Sequence, residues 1–223
     1  MSNTNAYRQT RGYENCQKVI YNGVGDYNIP VIEPVNNINN TIDGWIEWNK
    51  AATTRRFDNK GVHFFIDDYH FVRLWEQPDH YLDLLRKFAA VTSPDFSPYS
   101  DFPKAIQVYN HYRKHWLARY WQENGITVIP TITWSSPDTL EWAFDGEPYG
   151  SIVALSSVGM FDTKEHRAWL IDGYFTMMDI LSPTCIIWKG KIPDEIERYN
   201  YINNMSIVKI EEHVAKWRRK VVE

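Results

Sequence analysis

From Gly61 onward the chain alternates short apolar, β-rich runs with longer amphipathic stretches, and no other feature restricts the fold as much. The runs cover residues 62–66, 90–92, 126–134, 151–155, 184–188 and 206–210. Continuous apolar runs joined by helical crossovers mark parallel strands buried on both faces. Roughly 30 residues per unit matches a βαβ repeat. The expectation is an α/β fold: a mostly parallel sheet of about six strands with helical crossovers. Two closures fit. A reduced or distorted β/α barrel is favoured, although full barrels take about 250 residues and this chain has 223. The alternative is an open doubly wound sheet.

The intervening stretches read as helices over residues 71–89, broken at Pro78, over 137–144, over 163–181 and over 212–221. The clearest helix precedes Gly125, with Asp101 as its expected cap and Pro103 in its first turn. Its rings Phe102, Tyr109, Tyr112, Trp116 and Tyr120 recur at helical spacing, which predicts an aromatic face packed on the sheet. In the strand expected over 126–134, Pro130 has no ladder donor and marks a bulge, an edge or an unpaired position. Residues 1–60 are polar and irregular, with a short extended piece at Pro30. A helix is expected over 41–56, capped by Thr41 or Asp43 and carrying Trp45, Ile46 and Trp48. This third is too poor in aliphatic residues for its own core. It reads as a covering segment on a single α/β domain spanning 1–223.

The charge balance, 24 basic against 28 acidic residues, does not suggest a general nucleic-acid binder. The one basic cluster, Lys216 to Lys220, suits the last turn of a helix, so nucleic-acid binding is the weakest class. Cys16 and Cys185 match no metal or redox spacing. Cys185, inside an apolar run, reads as a buried inert thiol. No apolar run is long enough to span a bilayer, and the first 11 residues are polar. These features point to a cytoplasmic protein without a membrane partner.

Several blocks resemble one family: Ile66, Asp67, Asp68 and Tyr69; Ser93, Pro94, Asp95, Phe96 and Ser97; the stretch 121–134; Phe144, Asp145 and Gly146; and Trp188, Lys189 and Gly190. The chain resembles the family catalogued as domain of unknown function 4417, found in bacteria, their plasmids and their phages. The resemblance implies a mobile-element accessory protein and transfers no catalytic assignment.

In parallel α/β folds the site lies beyond the carboxyl ends of the strands. The residues that follow each run are Asp67, Asp68 and Tyr69; Ser93 and Asp95; Trp134 and Ser135; Ser156 and Ser157; and Trp188 and Lys189. Three carboxylates, several hydroxyls and one ammonium at one rim suit acid–base work on a sugar or nucleotide. They would also suit a divalent cation held through oxygens, and no other cofactor is implied. Asp67, Asp68, Asp95 and Lys189 are the candidate catalytic groups. Tyr69, Ser93, Trp134, Ser135, Ser156, Ser157 and Trp188 are the candidate substrate contacts. Each Asp or Ser singly also fits a helix cap or turn. His111 and His115 lie four apart, a zinc-compatible spacing, but no third ligand is evident and surface histidines are the plainer reading.

Two functions therefore stand ahead of nucleic-acid binding. One is an enzyme or ligand-binding domain for a phosphorylated sugar or nucleotide-like small molecule. The other is an accessory protein that binds or inhibits a host protein through its aromatic surface.

Overall fold

The computed structural model describes residues 14–38 and 42–211. A small antiparallel pair, β1 (Gly23–Val24) and β2 (Ile29–Pro30), precedes the main sheet. Seven parallel strands follow: β3 (Gly44–Glu47), β4 (Lys60–His63), β5 (Ala90–Thr92), β6 (Val128–Ile129), β7 (Ile152–Ser156), β8 (Cys185–Lys189) and β9 (Ser206–Ile210). Their helices are α1 (Trp48–Ala51), α2 (Val72–Glu76), α3 (Leu82–Leu85), α4 (Lys104–Glu123), α5 (Lys164–Leu181) and α6 (Asp194–Ile202).

Hydrogen bonding divides the strands into β3-β4-β5-β6 and β7-β8-β9. A parallel bridge, Thr131 to Ala154, links the two groups. Here Pro130 is tolerated because only its carbonyl is needed: it accepts from the Ala154 N–H at 2.7 Å. The mostly parallel α/β expectation holds. The barrel does not close, since no pairing joins β3 to β9 among the described residues, and the sheet is open. It is not doubly wound either, because the order rises by one strand at each step with no reversal.

Both faces of the sheet are covered, by different means. On the outer face, α1–α4 bury Val62, Phe64, Val91 and Val128 with Leu74, Trp116 and Trp121. There α5 and α6 bury Val153, Leu155, Ile186 and Trp188 with Tyr174 and Met177. The inner cluster takes Trp45, Ala90, Ile129, Ala154, Ile187 and Ile210 from six strands, and Phe65 from just beyond β4. No helical residue belongs to it among those described, yet Ala90, Ile129 and Ala154 are wholly buried. These inward side chains pack on one another, with Ile38 and Ile42 of the preceding segment against them. Residues one position along each strand alternate between the two faces, so parity decides which side chains reach the inner mouth.

Three local expectations are corrected. Within the stretch expected as a helix over 41–56, Gly44–Glu47 form the edge strand β3 and only Trp48–Ala51, the short α1, are helical. The period of β3 is two: Trp45 faces inward, while Ile46 packs on the outer core. Asp101 does not cap α4, since Pro103 holds the N-cap position with no side-chain bond. Cys185 is a half-buried free thiol, not a fully buried one. By contrast Thr163 caps α5, its Oγ1 accepting the His166 N–H at 3.0 Å. The helix expected over 212–221 and the basic cluster within it lie outside the described residues. No helix among those described is long and apolar enough to cross a membrane.

The helix α4 departs furthest from expectation. Its aromatic stripe reaches the sheet's outer core through Trp116, with Tyr112 and Tyr120 at the margin of that core. Tyr109, Tyr112 and Trp116 surround Trp75 of α2, with edge-on ring centroids at 6.3, 6.4 and 5.4 Å. The buried face carries Gln107, Asn110, His111, Lys114 and His115. These side chains pair with backbone carbonyls, most of them in loops: Gln107 with Tyr99 and Phe102, Asn110 with Ser97, His111 with Asp145, Lys114 with Thr131 of the bridge and His115 with Pro30 of β2. A buried carbonyl left unpaired costs about 1–3 kcal/mol. Satisfying loop backbone thus explains why a polar face is turned inward.

Candidate functional site

A cavity of about 320 Å³ opens at the carboxyl ends of β5, β6 and β7. Asp95, Tyr99, Thr133, Trp134, Ser156 and His166 are among its walls. Asp95 enters on the loop after β5, and Thr133 lies beyond the bridge that follows β6. Ser156 is the last residue of β7, while His166 and Trp169 come from the first turns of α5. Thr133 Oγ1 donates to Asp95 Oδ1 at 2.6 Å. No other hydrogen bond reaches Asp95 among the described residues, which leaves its second oxygen for a ligand or water.

Burial pushes the Asp95 carboxyl up to about 6, and Asp68 nearby adds to the rise. The Thr133 hydrogen bond and the charge of Lys114 oppose it. A carboxylic acid poised near neutrality suits proton transfer. Trp134 lies with its indole N–H donating to the Trp169 carbonyl at 2.9 Å. Its ring fits because residue 173 is glycine: a Cβ there would stand 2.1 Å from the indole nitrogen.

Of the residues expected at the rim, Asp95, Trp134, Ser135 and Ser156 meet at this cavity. Asp68 does not line it but shapes it, since its carboxylate accepts from Ser97 N–H at 3.1 Å and Ser97 Oγ at 2.9 Å. Burial raises the Asp68 carboxyl, against those same bonds. Asp67 is exposed, and Tyr69 is 70% exposed against His70. Ser93 is wholly buried and structural: its Oγ accepts from Thr131 N–H and its carbonyl from Thr131 Oγ1, both at 2.8 Å. Ser157 Oγ donates to the Lys191 carbonyl at 2.6 Å. Trp188 lies in the outer core against Tyr174, with centroids at 5.9 Å.

Lys189 is buried, and no ion pair reaches it among the described residues. It is the register partner of Ser156, one strand away from the cavity wall. Its charge is felt by Glu47 at the end of β3 and by His63 at the end of β4. Burial, with Lys189 adding, drops the His63 imidazole to about 4. Thr133, His63 and Glu47 lie inside the apolar runs or ahead of them, not among the residues that follow each run. The inward parity of the last strand positions is the signal that finds them.

A second constellation lies behind α4. Lys114 Nζ sits 2.7 Å from Glu147 Oε1, and His115 Nε2 sits 3.0 Å from the same oxygen. The three side chains are at most 1% exposed. His111 is buried beside them, its ring centroid 4.3 Å from that of His115. The surface-histidine expectation is therefore overturned, and Glu147 stands where a third ligand was missed. Burial pushes the Glu147 carboxyl up, but Lys114 and His115 outweigh it and hold the group below the ordinary range. Burial lowers both imidazoles, His111 furthest.

With this geometry in view, comparison with known proteins places the chain. The profile of Domain of unknown function (DUF4417) matches residues 21–208. The chain belongs to that family. Among its relatives are two phage proteins. The Gene 1 protein of Mycobacterium phage L5 is 32% identical over 194 residues, which cover 87% of this chain and 81% of that protein. The Gene 1 protein of Mycobacterium phage D29 is 31% identical over 194 residues, covering 87% and 69%. No solved structure matches. The DUF4417 match runs from β1 into β9, and so takes in both the rim cavity and the cluster behind α4.

Proposed function

We propose that the rim cavity binds a sugar- or nucleoside-like ring and that Asp95 moves a proton on it. The observation that carries this reading is the Asp95 carboxyl at about 6, with one oxygen held by Thr133 and the other left for a ligand. Tyr99, Trp134 and Trp169 supply flat walls, and Ser135 and Ser156 supply hydroxyls. No Lys or Arg lines the cavity among the described residues. A phosphate on the ring would instead be met by Lys189, beside Ser156 on the neighbouring strand. Asp67, Tyr69, Ser93, Ser157 and Trp188 have no part in this reading.

The test is a saturation-transfer NMR panel of free sugars, nucleosides and their monophosphates. It is run on the unaltered protein, Asp95→Asn and Lys189→Met. Ring protons should receive saturation from the unaltered protein. Asp95→Asn should keep binding but abolish turnover of any ligand that reacts. Lys189→Met should weaken the phosphorylated ligands alone, by about tenfold. Saturation of no ring ligand, or a reacting ligand turned over as fast by Asp95→Asn as by the unaltered protein, would overturn the proposal. Stable capture of a host protein over the same surface would favour the accessory-protein reading in its place.

A further inference from the structure

Hydrogen-bond accounting around Glu147 leaves lone pairs with nothing to bind. His115 Nδ1 faces the Pro30 carbonyl at 2.9 Å and so carries its proton there. Its Nε2 sits 3.0 Å from Glu147 Oε1, donating there as an imidazolium and facing it with a lone pair when neutral, so a metal ion could take the place of that proton. His111 Nε2 faces the Asp145 carbonyl at 3.0 Å and donates to it, which frees Nδ1. Glu147 Oε2 is buried and has no partner. One donor atom each from His111, His115 and Glu147 lies within 4.8 Å of the others.

Imidazoles that ligate metals usually donate their other N–H to a carbonyl or carboxylate, which fixes the ring and the free nitrogen. Both histidines show that arrangement. The turn that brings Glu147 in depends on Gly146, at φ +75°. A Cβ there would lie 2.5 Å from the Pro30 oxygen and 2.8 Å from His115 Nδ1.

We propose that His111, His115 and Glu147 form a buried binding site for a divalent transition ion of the zinc class. Two imidazole nitrogens and a carboxylate with two oxygens make a borderline N/O donor set, which suits zinc better than magnesium or calcium. The site is closed, so its role is to tie α4 to the β2 strand and the Glu147 turn. Lys114 competes for the same carboxylate, since its ammonium already holds Oε1. An ion on Glu147 therefore loosens the Lys114 pair or takes the place of its proton. This competition gives the test its sharpest arm.

The protein, loaded with Zn²⁺ and dialysed, is assayed for metal content and thermal melting, with Mg²⁺ as control. About one equivalent of zinc should remain, and Tm should rise by about 5–10 °C at a hundredfold excess over Kd. Mg²⁺ should do neither. His111→Ala should lose both effects. In Lys114→Met the ion is the sole countercharge for Glu147, so the zinc-induced rise in Tm should exceed that of the unaltered protein. If His111→Ala does not fold, the Lys114→Met comparison decides alone. No retained zinc, with no shift in either the unaltered protein or Lys114→Met, would overturn the site. The cluster would then be a Lys–Glu–His latch only.

Discussion

The rim cavity and the cluster behind α4 hold similar groups, carboxylates with hydroxyl, ammonium and imidazole partners, yet opposite environments give them opposite work. At the rim Asp95 has one hydrogen bond, open space beside it and a carboxyl raised to about 6. Behind α4 Glu147 is wholly buried, clasped by Lys114 and His115, and lowered. Burial alone raises both groups. The counter-charge at contact distance reverses the sign for Glu147, whereas Asp95 feels Lys114 only at a distance. A carboxyl whose charged form is poorly compensated is held at a cost to stability and is suited to reaction. One whose charge is met at contact distance holds the fold together.

The largest expected effect breaks the compensated member. Glu147→Ala leaves Lys114 and His115 buried without their partner, which costs about 3–5 kcal/mol and lowers Tm by about 10 °C. Because the folded pKa of Glu147 is depressed, its contribution is present above the ordinary carboxylate range and is lost as pH falls through the folded value. Urea denaturation across pH 3–8 measures this. If Glu147→Ala is as stable as the unaltered protein, the cluster is not a structural clasp.

The rim member should behave in the reverse sense. The Asp95 carboxyl is raised from the ordinary 3.8 to about 6. Folding therefore takes up a proton between those values, and stability falls as pH rises through the window. At 1.36 kcal/mol per unit the full penalty above pH 6 is about 3 kcal/mol. Solvent in the cavity reduces it. Asp95→Asn should thus stabilise the protein by about 1–2 kcal/mol at pH 7.5 and leave it unchanged near pH 3, while abolishing turnover at the rim. Denaturation at the two pH values checks the sign. A destabilised Asp95→Asn would put Asp95 with Glu147 as a structural group.

The two regions also differed in how far they could be read from sequence. The parallel order and the rim were legible because continuous apolar runs ended in polar residues at a repeating interval. Asp95, Ser135 and Ser156 follow from that pattern. Thr133 did not, since it is set by inward parity past Pro130, where the ladder is interrupted. The cluster behind α4 was hidden by a physical conflict. The aromatic stripe of that helix gathers round Trp75 of α2, while its polar residues face inward to satisfy six backbone carbonyls. A helix whose burial is dictated by hydrogen bonding to distant loops carries no periodic apolar signal for its inner face. Glu147, 32 residues beyond His115 in a turn, could be joined to it only by the fold.

The smallest expected effect is the sharpest control on the rim. Asp67 and Asp95 both follow parallel strands of one sheet, and strand-end position alone treats them alike. Asp67, however, is exposed at the start of the 3-10 turn Asp68–His70 and makes no cap bond, so water already solvates its charge. Nothing there depends on its carboxylate beyond weak repulsion with Asp68. Asp67→Asn should shift stability by no more than about 0.5 kcal/mol at any pH and leave ligand saturation at the rim unaltered. Comparing its denaturation curves and NMR response with those of Asp95→Asn separates position on a rim from access to a cavity. Equal effects of the two substitutions would mean that the strand ends act through a shared field, and that the enclosed space beside Asp95 does not set its chemistry.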